Sequence, residues 1–371
     1  AKEANEARIR AQQELAARNE RWLTWSIIFA VVSIAGVLFW IPIYRQHGKA
    51  YRPTFRGKFY SDIPTDLPPA LIGHLVNHRT VSGGALVATL FDLARRGILT
   101  IEEEKIEKKT LFGKKEKKEF ILVKNSDVGT EELDSIQPFE QEALDYLFEE
   151  LSEGADRISM KEIAKSRSKT VKWFNKWKKQ ITKLAKEQGF YDLDSRRKML
   201  KGLIPSIALI VVGPIAIFLA GPGAITPFAT GLTLLIITLA TYRVARPYVD
   251  QYAQWKALRR YLQKYKFAQA DRSKLTDNLS RYLVYGMVLG LTSKRIKELV
   301  GLIPADQCAV IFPWYLYHGT LAPESFGTAF GEAVSSMVTV AGSTFSSATG
   351  AGGGASAGGG AGAGGSGGGA G

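Results

Sequence analysis

Apolar residues at Leu86, Leu90, Leu93 and Ala94 repeat at three- and four-residue spacing, the stripe of an amphipathic helix. Gly97 follows the basic pair Arg95-Arg96 as a helix stop does. The pattern then changes period: "ILTIEEE", residues 98–104, alternates like a strand, and "KEFILVK", residues 118–124, supplies a partner. Between them the lysine-rich "KKTLFGKKEKK" predicts a solvated hairpin tip. Upstream, "DLPPALIGHLVN" predicts a helix opening at its prolines. A helix, a second helix with a glycine stop and a strand opening a hairpin are the closing parts of a winged-helix-like unit, expected over residues 44–124.

A second such unit is expected over 125–202. "PFEQEALDYLFEEL" places Phe139, Ala143, Leu144, Leu147, Phe148 and Leu151 on one side of a helix. "ISMKEIAK" reads as a short helix capped by Ser159, with Glu162 three residues later. "VKWFNKWKKQITKLAKEQG" predicts a long helix ending at Gly189, and "FYDLD" an edge strand.

Three uncharged apolar runs set the class. Trp22 to Ile43 has 22 residues, which as a helix span roughly 33 Å, the thickness of a bilayer core with slight tilt. Trp22, Trp25, Trp40 and Tyr44 near its ends resemble an aromatic belt. Leu203–Ala220 and Ala224–Tyr242 are the second and third candidate spans. The first run is too long, and preceded by too many charged and polar residues, for a signal peptide. Opening on Ala rather than Met, the chain reads as processed or truncated. Residues 1–21 form a strong helix former with few large apolar residues, a stalk leading into the first span.

Charge orients these spans. Basic residues follow the first (Arg45, Lys49, Arg52, Arg56, Lys58), precede the second (Arg196, Arg197, Lys198, Lys201) and follow the third (Arg243, Arg246), while the turn at 221–223 carries none. The bias predicts an outside N-terminus, with 44–202 and 243–371 cytoplasmic. The formal net charge of +14 points to an anionic partner. It is unevenly placed: residues 125–156 hold eleven acids and no Lys or Arg, whereas 157–201 hold fifteen basic residues and four acids. A basic helix leading directly into a span predicts contact with an anionic inner leaflet through Lys172, Lys176, Lys179, Lys183, Arg196, Arg197 and Lys198. The bland alternative is a set of solvated faces. A single cysteine, Cys308, rules out an intrachain disulfide, and its apolar surroundings predict a core thiol.

Beyond the third span, "YVDQYAQWKALRRYLQKY" reads as a cytoplasmic continuation of that helix, and "LTDNLSRYLVYGMVLGL" as another helix, in a helical domain over 243–320. Residues 321–349 carry Phe326, Phe330, Val334, Met337, Ala341 and Phe345 at helical spacing, opposite a Gly/Ser/Thr face. Either the stripe packs into the core or it buries against another subunit or the bilayer; Phe326, Phe330, Val334, Met337 and Phe345 are therefore candidate subunit contacts. Residues 350–371 contain only Gly, Ala and Ser, by default a flexible tail, and any ordered part is expected to contact other subunits of a homo-oligomer.

"DIPTDLPPALIGHLVN", "ATLFDLARRGILTI", "RYLVYGMVLGL" and the glycine-serine tail together resemble the bacterial membrane protein family catalogued as domain of unknown function 2207, over most of residues 22–371. The resemblance implies the bacterial plasma membrane, an extracytoplasmic β-rich domain before the first span, and no assigned catalytic residues. Members look like neighbours of LemA-type coiled-coil membrane proteins, which implies such a partner.

The chemistry that would mark an enzyme or transporter is missing from the sequence. The spans contain no Asp, Glu, Lys, Arg or His, and there is no G-x-S-x-G, no P-loop and no dinucleotide fingerprint outside the tail. His74 and His78, four apart on an expected helix, lack a third ligand at fixed spacing, so no metal and no cofactor is expected. The helix "GGALVATLFDLARRG" offers no Asn, Gln or Arg to base edges until its last turn, so nucleic acid is not expected either. The sequence thus predicts a mainly α membrane protein with three transmembrane helices, winged-helix-like α+β cytoplasmic domains and a Gly-rich C-terminal tail. Its expected role is that of a non-enzymatic scaffold or subunit of a membrane complex; the rival is a membrane-tethered regulator that binds nucleic acid.

Overall fold

The computed structural model describes residues 2–110, 113–221, 224–267, 271–316 and 323–345. The expected glycine-rich tail lies outside the described residues, as does the connection at 111–112. The fold is mainly helical, with one small sheet. In chain order the helices are α1 (Lys2–Ile43), α2 (Pro69–Val76), α3 (Gly83–Arg95), α4 (Thr130–Asp134), α5 (Pro138–Leu144), α6 (Met160–Lys165), α7 (Arg167–Glu187) and α8 (Leu193–Met199). They continue with α9 (Leu203–Ala220), α10 (Thr226–Ala240), α11 (Val249–Lys264), α12 (Arg272–Leu289), α13 (Ser293–Val300), α14 (Ala305–Ile311) and α15 (Pro323–Phe345). The strands are β1 (Leu99–Thr110), β2 (Gly113–Lys124), β3 (Arg157–Ser159) and β4 (Tyr315–Leu316).

The chain divides into two compact units: residues up to Pro53 with Gly189–Val249, and Thr54–Gln188 with the residues from Asp250 onward. In the first unit α1 is one continuous helix, so the expected stalk and first span share a single axis with no break at residue 21. It packs against α9 and α10. Two apolar clusters hold the three helices: Phe29, Ala216 and Ala224 in one, and Trp40, Met199, Leu209 and Leu234 in the other. Gly231 lets α10 close on α9; a Cβ there would lie 2.7 Å from Ser206 O and 2.8 Å from Ile210 N. Trp40 Nε1 donates to Thr238 Oγ1 at 2.8 Å, satisfying both groups inside the helix packing. The outer faces are apolar too: Leu23, Ile27, Val31, Ile34 and Leu38 of α1, and Ile204, Ile207, Val211, Ile215 and Phe218 of α9, are exposed.

Among the described residues, two helices are long and apolar enough to cross a membrane, Arg8–Gly48 and Leu193–Leu219. Thr226–Ala240 is shorter, 15 residues or about 22 Å. Nor does it continue into α11 as the sequence pattern implied. Residues 241–245 leave the helical path, Tyr191 and Val244 form an isolated antiparallel bridge, and Pro247 cannot donate the backbone hydrogen bond that a through-running helix needs. The expected edge strand "FYDLD" is reduced to that bridge.

In the second unit Pro68 and Pro69 start α2, Gly97 at φ +79° follows the end of α3, and β1 pairs with β2 from Leu99↔Lys124 to Thr110↔Gly113. The sheet order is β3-β2-β1-β4; β3 is antiparallel to β2 and β4 parallel to β1. Ile121–Val123 pairs with Arg157–Ser159, so the boundary expected at residue 124 is crossed by a continuous sheet. Ser159 and Glu162 form the reciprocal cap of α6 read from the sequence, whereas the helix expected over 138–151 changes at Asp145 into a wider π-type turn running to Leu151.

Helix α3 is buried from Ala85 to Ala94 and packs on α2, α12 and α15. The α15 stripe is covered within the same chain: Phe326 and Phe330 join Phe91, Phe312, Trp314 and Tyr315 in one aromatic cluster. Phe326, Phe330, Val334 and Met337 are all buried. These four are buried within this chain, as the core-packing alternative has it. The side chain of Phe345 lies outside the described residues.

Candidate anion-binding groove

Helix α7 places its two faces according to residue type. Trp173, Phe174, Trp177, Ile181 and Ala185 are buried. Trp173 stacks on Tyr146 with centroids 4.2 Å apart, and Trp177 Nε1 donates to Phe139 O at 2.8 Å. With the apolar face committed to core, Lys172, Lys176, Lys179, Lys183 and Lys186 are left exposed.

Opposite the C-terminal half of this helix lies the turn after α2. His78 and Arg79 have φ of +51° and +68°, a left-handed conformation that non-glycine residues seldom adopt. The turn is pinned from several directions. Arg79 N donates to His74 O at 2.8 Å and Thr80 N to Asn77 O at 3.0 Å. Asn77 Nδ2 donates to Val288 O at 2.7 Å, Arg259 donates to Asn77 Oδ1 at 3.2 Å, and Val81 is buried.

Between turn and helix runs an open groove of about 580 Å³, within the size range of small-ligand sites. Its cations are Arg79, Lys178, Lys179, Lys183 and Lys186; Thr80, Asn175 and Thr182 add neutral polar groups, and no carboxylate is among the described residues lining it. The Thr182 hydroxyl donates to Lys178 O at 2.8 Å, so it presents lone pairs rather than its proton. Burial lowers the Lys178 pKa, and its ammonium lies 5.7 Å from the centre of the Phe174 ring. Beneath the turn, His74 is buried on α2, and its pKa is lowered to about 4, first by burial and then by the positive charges of Arg79 and Lys186. At neutral pH it carries no charge. A cluster of cations one helical turn apart, without interleaved acid, can lower its mutual repulsion by holding an anion.

The seven residues expected on a lipid surface separate in the structure. Lys179 and Lys183 line the groove. Lys172 and Lys176 lie further back on α7, and the Lys176 ammonium is 3.3 Å from Glu142. The other three are on α8, in the other unit. Arg197 and Lys198 are exposed, Arg197 at 3.8 Å from Asp194. Arg196 points inward: it donates to Thr238 O, Thr241 O and Leu239 O and lies 4.3 Å from the Tyr242 ring centre. It thus satisfies the open carbonyls at the end of α10, where the helix dipole favours a cation. Beside it Asp192 caps α8 and accepts from Arg243 at 2.7 Å and Tyr51 at 3.0 Å. Burial would raise the Asp192 pKa, but Ser195 N–H, Arg243 and Tyr51 outweigh it and hold the carboxyl well below its ordinary range.

Arg79, Lys178 and Lys186 escaped the sequence reading. Lys186 was accessible to it, as the next step in the stripe 172, 176, 179, 183. Arg79 lies in a turn without periodicity, so no pattern placed it opposite α7. The expected pair His74 and His78 does not share a helical face, because α2 ends at Val76. Cys308 is buried, as its apolar neighbours implied.

Residues 56–299 match the family described as predicted membrane protein (DUF2207), C-terminal domain. The chain belongs to this family. No curated protein and no solved structure matches it. The part of this DUF2207 member that matches includes Arg79, the β1–β2 hairpin, all of α7 and the α9–α10 pair, and stops before α15; α1 precedes it.

Proposed function

We propose that this DUF2207 protein is a non-enzymatic, membrane-anchored scaffold or subunit of a membrane complex that meets an anionic leaflet through the basic face of α7. The observation that carries the reading is the division of α7: an aromatic face committed to core and an opposite face of five exposed lysines. Surface potential attracts such segments with about 1 kcal/mol per basic residue near the membrane. In this reading α1 and the α9–α10 pair are three spans, supported by their exposed apolar faces and the basic residues flanking one side. The short α10 is accommodated by local bilayer thinning. The N-terminus is outside, and the second unit is cytoplasmic. The segments α2–α3–β1–β2 and α5–β3–α6–α7 act as winged-helix-like units that share one sheet and serve protein and lipid contacts. The burial of α3 along its length argues against its use in a DNA groove.

Two measurements test this. In a Cys308→Ser background, Pro222→Cys labels with an impermeant maleimide in intact cells and Gly113→Cys does not; the reverse pattern sinks the topology. In full-length protein reconstituted into nanodiscs, acylation of Lys172, Lys179 and Lys183 is slower in anionic than in zwitterionic lipid, and high salt removes the difference. Equal rates in both lipids argue against the leaflet contact, and a sequence-selective gel shift would favour the nucleic-acid rival.

A further inference from the structure

The groove between the α2–α3 turn and α7 has more definition than a charged surface. We propose that it is a ligand site for a compact group carrying two or more phosphates, a deepening of the leaflet reading above and resting on it. Five cations converge there from two separate elements, and no carboxylate lies among the described lining residues. A single carboxylate would neutralise one of them. Linked phosphates supply several acceptor oxygens within a few ångströms, and Arg79 adds a planar fork suited to two of them.

The length of the site selects a compact ligand over a long polyanion. Lys178 to Lys186 covers nine residues, eight helical steps or roughly 12 Å of helix. Next back along the stripe, Lys176 lies beside Glu142, which interrupts the positive track. At the other end Lys183 pairs with Glu187 at a long, exposed 3.8 Å, a contact of little energetic consequence and easily displaced. The left-handed turn is the second observation. Arg79 is held in a costly backbone conformation by bonds to α2, and Asn77 by bonds from α11 and to α12, so the cation from the loop is positioned before any ligand arrives. Thr80 and Asn175 offer neutral polar groups beside the cations.

Phosphates of this kind reach the groove either on a lipid headgroup or in free solution, and one titration separates the two. Full-length protein in neutral detergent is titrated by calorimetry with inorganic tripolyphosphate, and in parallel with cardiolipin in mixed micelles. Three variants are compared with the parent: Arg79→Gly, Lys183→Gln/Lys186→Gln, and the control Lys161→Gln/Lys165→Gln, which removes the same charge from the exposed side of α6, outside both the groove and the basic face of α7. Glycine accepts the φ of residue 79 without strain, so Arg79→Gly loses the cation and keeps the turn.

The expected result is saturable binding of at least one probe, weakened at least tenfold in Lys183→Gln/Lys186→Gln, at least fivefold in Arg79→Gly and less than threefold in the control. Tighter binding of cardiolipin identifies the headgroup as the source; tighter binding of tripolyphosphate identifies a soluble ligand. Equal weakening by the groove and control variants, or absence of saturable binding to both probes, overturns the site. The nanodisc acylation pattern then still decides the leaflet contact by itself, so the two readings fail separately.

Discussion

Arg96 joins the end of α3 to the start of α5: its Nη2 donates to Glu140 Oε2 at 2.7 Å. The same guanidinium lies 3.3 Å from Asp92 and donates to Ser135 Oγ at 3.1 Å, and Glu140 accepts from Gln137 N at 3.0 Å. Burial raises the Glu140 pKa, against the opposing pull of Arg96 and the Gln137 N–H. The "DLARRG" segment, which at first sight offers arginines to phosphate, therefore uses Asp92, Arg95 and Arg96 to fasten one helix end to the next.

Removing Arg96 leaves Glu140 buried without its charge partner, whereas removing Glu140 leaves the half-buried Arg96 its contact with Asp92. Arg96→Met is expected to lower stability by roughly 3–5 kcal/mol and Glu140→Leu by less, while the double variant loses clearly less than the sum. Denaturant unfolding of the full chain in detergent measures the cycle. Additive losses would mean that the contact contributes little.

His74 makes a pH prediction with a definite sign. Its folded-state pKa of about 4 lies below its ordinary 6.5. At pH 7 neither state binds a proton there, so the native state has its full stability. As pH falls below 6.5 the unfolded chain takes up a proton that the folded chain refuses, and stability falls until about pH 4. The effect is on the order of 3 kcal/mol when fully developed. His74→Leu should flatten this part of the pH–stability curve. An unchanged slope would assign the acid sensitivity to other groups.

Much of this architecture was legible before any coordinates. Periodicity marked α2, α3, α7 and α12, prolines and glycines marked their ends, and the alternation around 98–104 and 118–124 marked the hairpin. What escaped depends on tertiary context. Strand β4 has two residues, Tyr315 and Leu316, too few to show a period, and becomes a strand because β1 offers an open edge. Residues 138–151 have helical spacing throughout, yet the turn widens at Asp145. For Arg196 and Arg197, adjacent and identical in type, only the fold shows that one caps α10 while the other faces solvent. In the groove, the α7 cations were readable as a stripe, but Arg79 meets them through chain reversal.

Small residues in the first unit divide into those that cannot be enlarged and those that can. At Gly231 a Cβ would meet backbone atoms of α9 at 2.7 and 2.8 Å, and backbone cannot move without shifting the helix. At Gly36 it would meet the end of the Leu209 side chain, which can rotate. Gly231→Ala is therefore expected to lower the thermal midpoint in detergent well below that of Gly36→Ala. Equal midpoints would show that α9 and α10 separate readily.

The aromatic cluster under α15 gives the last expectation. Phe330 is fully buried and touches rings from three segments: Phe91 at 6.0 Å, Phe312 at 5.1 Å and Tyr315 at 5.0 Å between centroids. Tyr315 in turn donates to the buried Glu103 at 2.7 Å, so the cluster reaches across to β1. Truncating a phenylalanine in such a place costs about 3–5 kcal/mol through lost burial and the cavity left behind. Phe330→Ala should therefore destabilise the folded chain without changing the mass of the particle, read by unfolding and by light scattering on the same sample. Had this stripe been a subunit contact, the outcome would invert: the particle would shrink while the individual chain kept its stability. Phe326→Ala belongs to the same cluster and should behave the same way. A smaller particle with unaltered unfolding in both variants would return α15 to the subunit interface.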